Sequence, residues 1–201
     1  MEEKKTILPA PLLQVMISRL CHQLIEYHRS FDDTVLIGLQ PRGIYLADRI
    51  KAELASILST DIQLGYLDTT FHRDDFRRRD TPLTASKTEI PFVLEDKNVV
   101  LIDDVLYTGR TVRAALDAMT TFGRPRKVEL LVLIDRKYSR DIPVEADYVG
   151  RAVNTLDSQR VVVEWKEQEE ADRVLLMDRN PDGQQADDRR SQGASPTTKP
   201  D

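Results

Sequence analysis

The sequence predicts an α/β protein whose mainly parallel central sheet is flanked by helices. Three observations lead there. Short runs dominated by Val, Ile and Leu, at Thr34–Leu39, Val99–Ile102 and Lys127–Ile134, read as strands covered on both faces. Segments of helical period fall between them, the pattern that builds βαβ units. Two of these strands run into polar, Gly-bearing loops, and the carboxyl edge of an open parallel sheet is where ligands bind.

The elements follow in order. Residues 10–27 set Leu12, Leu13, Met16, Ile17, Leu20, Leu24 and Ile25 on one stripe, a first amphipathic helix whose other face carries Ser18, Arg19, His22 and Glu26. Cys21 falls among the apolar positions and reads as a packed thiol. The strand Thr34–Leu39 ends in Gln40-Pro41-Arg42-Gly43, and a helix follows over 44–58. Ile62–Leu67 reads as another strand. Residues 68–80 are charged and without apolar period, which predicts a mobile loop. Val99–Ile102 then leads to Asp103 and Asp104, where the strand should end, and a helix runs from Thr111 to Phe122 with Gly123 as its cap. Lys127–Ile134, a short Ala146–Val149 and an edge strand Val161–Trp165 complete the order. From Asp178 onward large apolar residues almost vanish, so residues 1–177 form one domain and 178–201 a disordered tail.

The whole chain sets bounds on function. Its 201 residues suit one α/β domain, and a net charge of −5 gives no global attraction to nucleic acid. One cysteine excludes an internal disulfide framework and fits a reducing cytoplasm. The N-terminus lacks a signal peptide's apolar run, and no stretch approaches the roughly 20 apolar residues of a membrane span. A soluble cytoplasmic protein with no membrane partner is expected.

The chemistry concentrates in Val99–Thr111. Backbone N–H groups at a helix N-terminus, with the hydroxyls of Thr108 and Thr111, make a cradle for a phosphate monoester. Gly109 allows close approach and positive φ. Asp103 and Asp104 would repel that phosphate, so they suit vicinal hydroxyls, and a phosphate beside a diol is a ribose 5-phosphate. A nucleotide P-loop is disfavoured because no Gly-Lys-Ser/Thr is present. A receiver domain also uses an acidic pair but needs no Thr-Gly-Arg-Thr cradle. In the other Gly-bearing loop, Arg42 suits a diphosphate, because a guanidinium fork pairs with phosphate oxygens.

These thirteen residues resemble the 5-phosphoribosyl 1-pyrophosphate (PRPP) motif of type I phosphoribosyltransferases. The resemblance implies the type I phosphoribosyltransferase fold with a hood loop over residues 68–80. It implies that Asp103, Asp104 and Arg42 are catalytic, with the first two on the ribose hydroxyls. It also implies that Thr108, Gly109, Arg110 and Thr111 hold the 5-phosphate, with Val105, Leu106 and Tyr107 also among the substrate-binding residues. Arg42, Gly43 and the hood residue Arg73 face the diphosphate, and Mg2+ is held chiefly through PRPP, with no metal cluster of the protein's own.

Over Lys5–Glu170 the segments Arg42–Ala47, Tyr66–Asp75, Asp104–Ala114, Gly123–Pro125 and Ala146–Gly150 are similar to one family. These are the bifunctional pyrimidine-operon attenuation regulators with uracil phosphoribosyltransferase activity, PyrR. That resemblance implies uracil and PRPP as substrates, with backbone near Val149 and Gly150 on the base. It further implies UMP or UTP as effector, a homo-oligomer, and pyrimidine-operon leader mRNA as partner. Ser18, Arg19, His22, Arg136, Arg140 and Arg151 match the RNA surface, while Tyr27 and Glu145 stand where basic residues are usual. Two alternatives stay open: an RNA-binding attenuator with vestigial catalysis, and a purine phosphoribosyltransferase of the same fold.

Overall fold

The computed structural model describes residues 4–70, 87–138, 140–156 and 158–178. Helix α1 (Ala10–His28) buries Leu13, Ile17, Leu20, Cys21 and Leu24, a single face at helical spacing. Leu12 falls off that stripe and stands 54% exposed. Strand β2 (Thr34–Gln40) is buried almost throughout, and α2 (Gly43–Leu58) returns across the sheet on Leu46, Ala47, Ile50 and Leu54. Then come β3 (Leu64–Asp68), β4 (Asn98–Leu106), α3 (Arg110–Met119), a 3-10 turn at Thr120–Phe122, β5 (Lys127–Lys137) and β6 (Tyr148–Asn154).

Strands β3-β2-β4-β5-β6 form a five-stranded sheet in that order, with every pairing parallel. Its two faces carry separate cores. Leu36, Val100, Ile102, Leu131 and Leu133 pack with α1 and α2, while Val35, Ile37, Val99, Leu101, Leu130 and Val132 pack with α3. Burial on both faces is what the near-continuous apolar runs require. Antiparallel character between β3 and β4 is confined, among the described residues, to a Tyr66–Glu89 bridge.

Four expectations change. β4 does not stop before the aspartates: its ladder with β5 continues through Asp103 and Val105 to Leu106, because main-chain pairing is indifferent to side chains projecting into the crevice. β5 likewise runs on to Lys137. β6 starts later and ends later than Ala146–Val149, so Gly150 lies inside the strand, not beyond it. The run at Val161–Trp165 belongs to β7 (Gln159–Glu164), in a second, antiparallel sheet of order β1-β8-β7. Its other strands, β1 (Lys4–Pro9) and β8 (Arg173–Asp178), come from opposite ends of the chain.

Arg73 and most of the hood segment fall outside the described residues, as does the tail from residue 179. Among the described residues, no helix is long and apolar enough to cross a membrane.

Candidate active site

Parallel pairing sets the carboxyl ends of β2 and β4 side by side, so the loops that follow them open into one crevice. The first loop, with a cis Gln40–Pro41 bond, delivers Arg42 to the N-cap of α2. Gly43 is required there for approach: a Cβ would stand 2.4 Å from the Ile102 carbonyl oxygen and 3.0 Å from Asp103 Cα, so only hydrogen lets α2 start this close to β4. The second loop ends in Gly109, at φ 88, the N-cap of α3, and leaves the first-turn N–H groups without helical partners.

Between the two helix starts sit the carboxylates. Asp104 is 6% exposed and accepts from Arg42 Nε at 3.0 Å. Arg42 Nη2 also donates to the Val163 carbonyl, so the guanidinium spans the crevice from β4 to the second sheet. Arg42 and Asp104 carry different expected roles, yet they form one ion pair. Asp103 Oδ1 accepts the Asp104 N–H at 2.9 Å. Burial, then the charge of Asp104, pushes the Asp103 carboxyl well above the usual carboxylate range.

Tyr107 lies 3.9 Å over the Arg136 guanidinium. Arg136 is 3% exposed and donates to Thr155 Oγ1 at 3.0 Å and to the Gln159 carbonyl at 2.9 Å. Arg140 donates to the Leu106 and Tyr107 carbonyls. Arg136 is thus buried, whereas Arg140 is half-buried with its guanidinium already occupied by main-chain carbonyls and Asp135. Sequence offers no sign of this, because nothing local distinguishes an inward arginine from an outward one.

Val149 and Gly150, expected on the base, lie near the start of β6 opposite β5, and their carbonyls accept Arg19 Nη2 at 3.2 and 2.6 Å. A base recognised by those carbonyls would have to displace that arginine. Of the remaining RNA candidates, Ser18 is half-buried, whereas Arg19, His22 and Arg151 are exposed. Arg19 and Arg151 share the β6 edge, with Arg151 donating to the Ile7 carbonyl at 2.8 Å. Glu145 is exposed as well. Tyr27 has a cation beside it: Lys127 Nζ lies 2.7 Å from its hydroxyl and 4.5 Å from its ring centre, with Glu129 also on the ammonium.

Comparison with known proteins identifies the family. Residues 4–170 match the family described as the phosphoribosyl transferase domain. The "Bifunctional protein pyrR" of Enterococcus faecalis is 40% identical over 173 residues, 86% of this chain and 96% of that protein. The PyrR of Chloroflexus aurantiacus is 43% identical over 177 residues, 88% of this chain and 97% of its own. The chain belongs to the PyrR family. Solved structures similar to this PyrR-family chain include a hypoxanthine-guanine phosphoribosyltransferase from Bacillus anthracis (TM-score 0.64, 18% identity, 88% of this chain and 99% of that one). The hypoxanthine phosphoribosyltransferase of Trypanosoma cruzi aligns at TM-score 0.67 and 13% identity, over 88% of this chain and 97% of its own. At those identities the likeness is one of fold, which is the type I phosphoribosyltransferase fold.

Proposed function

We propose that this protein transfers the 5-phosphoribosyl group of PRPP to N1 of uracil, giving UMP and diphosphate, and that it also binds pyrimidine-gene leader RNA in response to uridine nucleotides. One observation supports the first activity above the others. Two helix N-termini, one carrying Arg42 and the other Gly109, flank a pair of strand-end carboxylates at one sheet edge.

The α3 N–H groups and the hydroxyls of Thr108 and Thr111 take the 5-phosphate. Asp103 and Asp104 accept hydrogen bonds from the ribose 2- and 3-hydroxyls, with the α2 start and Arg42 on the diphosphate. In the structure Arg42 and Asp104 neutralise each other. A substrate bearing both a diol and a diphosphate gives each a better partner and separates the pair. As the C1–oxygen bond breaks, its electrons leave on the diphosphate and positive charge develops on the ribose. The two carboxylates favour that charge, and N1 of uracil closes on C1 as its proton departs. Tyr107, whose ring packs on the Arg136 guanidinium, stands just ahead of the 5-phosphate loop.

Among the described residues no cluster of His, Cys, Asp or Glu could hold a metal ion. The crevice carboxylates Asp103 and Asp104 are oxygen donors of the kind Mg2+ takes one or two of, the rest of its shell coming from substrate phosphates and water. Bound so, the ion supplies charge neutralisation on the diphosphate.

Purified protein given Mg2+, PRPP and one nucleobase at a time should release diphosphate with uracil. Release with hypoxanthine or guanine instead would overturn the choice of base. For the second activity, affinity for a leader RNA should fall steeply with salt if Arg19, His22 and Arg151 meet phosphates. The cytoplasm is the compartment where both activities have their substrates.

A further inference from the structure

A loop that binds phosphate through its N–H groups turns those donors inward, so its carbonyls face outward and need donors of their own. In this protein the segment between β5 and β6 supplies them. Arg140 reaches the Leu106 carbonyl at 3.3 Å and the Tyr107 carbonyl from Nη1, which also donates to the Arg136 carbonyl at 2.9 Å. Its Nε donates to the Val144 carbonyl at 3.1 Å, and Nη2 pairs with Asp135. Asp135 is 1% exposed, and Lys137 balances its other oxygen at 2.6 Å.

The same segment continues along the loop. The N–H groups of Asp141 and Ile142 both donate to the Thr108 carbonyl at 3.0 Å. Ile142 and Val144 fill the space beside Gly109, where an added Cβ would meet Ile142 Cβ at 3.2 Å. Arg110 Nε donates to the Asp141 carboxylate at 3.0 Å. Each residue from Leu106 to Arg110 is therefore held from its outer side.

We propose that Arg140 is a positioning residue for the phosphate-binding loop: its guanidinium fixes the Leu106 and Tyr107 carbonyls outward, so that the following N–H groups stay aimed at the 5-phosphate. The proposal rests on the reading of Thr108–Thr111 as the 5-phosphate site. Arg140 touches no substrate; it acts through main chain that does. A planar fork with five donors spans acceptors from three segments, which an ammonium with three donors on one nitrogen does only in part.

The test compares wild type with R140K and R140Q, each checked for an intact melting transition, by titrating ribose 5-phosphate and, separately, inorganic diphosphate. R140Q should weaken ribose 5-phosphate on the order of tenfold, the scale of losing a group that orients ligands. Diphosphate affinity should stay within about twofold of wild type, with R140K between the two. In turnover, KM for PRPP should rise more than kcat falls. Equal loss of both ligands would mean a general packing role and overturn the proposal, as would unchanged ribose 5-phosphate affinity in R140Q. A wild-type protein that binds diphosphate but no ribose 5-phosphate would remove the underlying site, and the role of Arg140 with it.

Discussion

Replacing Gly43 with Ala tests the geometry of the crevice most directly, because helix propensity and packing predict opposite signs. Gly43 is the first residue of α2, and Gly→Ala within a helix ordinarily stabilises by roughly 0.5–1 kcal/mol. Here the new Cβ would fall 2.4 Å from a carbonyl oxygen and 3.0 Å from a Cα, both main-chain atoms of β4. No rotamer relieves that contact, so α2 and β4 must part by on the order of 1 Å, and overpacking of this kind costs about 1–3 kcal/mol. The clash wins, leaving a net loss of roughly 1–2 kcal/mol. For a chain of this size that lowers Tm by roughly 2–8 °C. The displacement carries Arg42 and the α2 N-terminus with it, and misplacement by 1 Å can cost on the order of a hundredfold in rate. Thermal melts and PRPP kinetics on G43A should therefore show a lower Tm and a ten- to hundredfold lower kcat/KM. A raised Tm with wild-type kinetics would refute the close approach of α2 to β4.

Other outcomes follow from the same site. Asp104→Asn should lower uracil turnover at least tenfold, as it removes both a ribose acceptor and the charge facing Arg42; steady-state assays at saturating PRPP decide it. Asp103→Asn should also impair turnover yet raise Tm at neutral pH. The sign comes from linkage: the Asp103 carboxyl is raised above its unfolded value, so the folded state keeps a proton longer. Wild-type stability from this group is then lost as pH rises from the ordinary carboxylate range through the folded value, and D103N should not show that loss in melts across pH. Arg42→Gln should raise KM for PRPP at least tenfold. It should also destabilise the ligand-free protein by roughly 1–2 kcal/mol, a cost discounted because the arginine is partly solvated, and denaturant titration measures it.

Much of the fold is visible in local patterns. The parallel strands betray themselves through apolar runs, and α1 and α2 through stripes that end where the helices end. The site is half legible. Gly43, Asp103, Asp104 and Gly109 stand in contiguous stretches whose residue types dictate their chemistry. What cannot be read locally is pairing across the chain. Nothing in Lys4–Pro9 or Arg173–Asp178 announces that they meet, because the partner of each is more than a hundred residues away. Nor can sequence tell that Arg136 and Arg140 turn inward, because both lie in a charged stretch that looks like solvated surface. The misplaced end of β6 has the same origin: Gly150 looks like a strand terminator, yet it is a glycine so that Met16 and the Leu133 carbonyl can close on the strand.

The small antiparallel sheet has a consequence for how the crevice holds its arginine. Arg42 leans on the Val163 carbonyl, Val163 pairs with Val174, and Val174 pairs with Leu8. Arg42 is thereby braced by β7 and, through it, by β8 and β1, two strands that lie far apart in the sequence. Among the described strands, β8 is the one neighbour of both β1 and β7 in this sheet, so the strand holding the Val163 carbonyl is itself held through β8. The position of Arg42 therefore depends on strands far in sequence from the ribose-phosphate motif as well as on the loop that carries it.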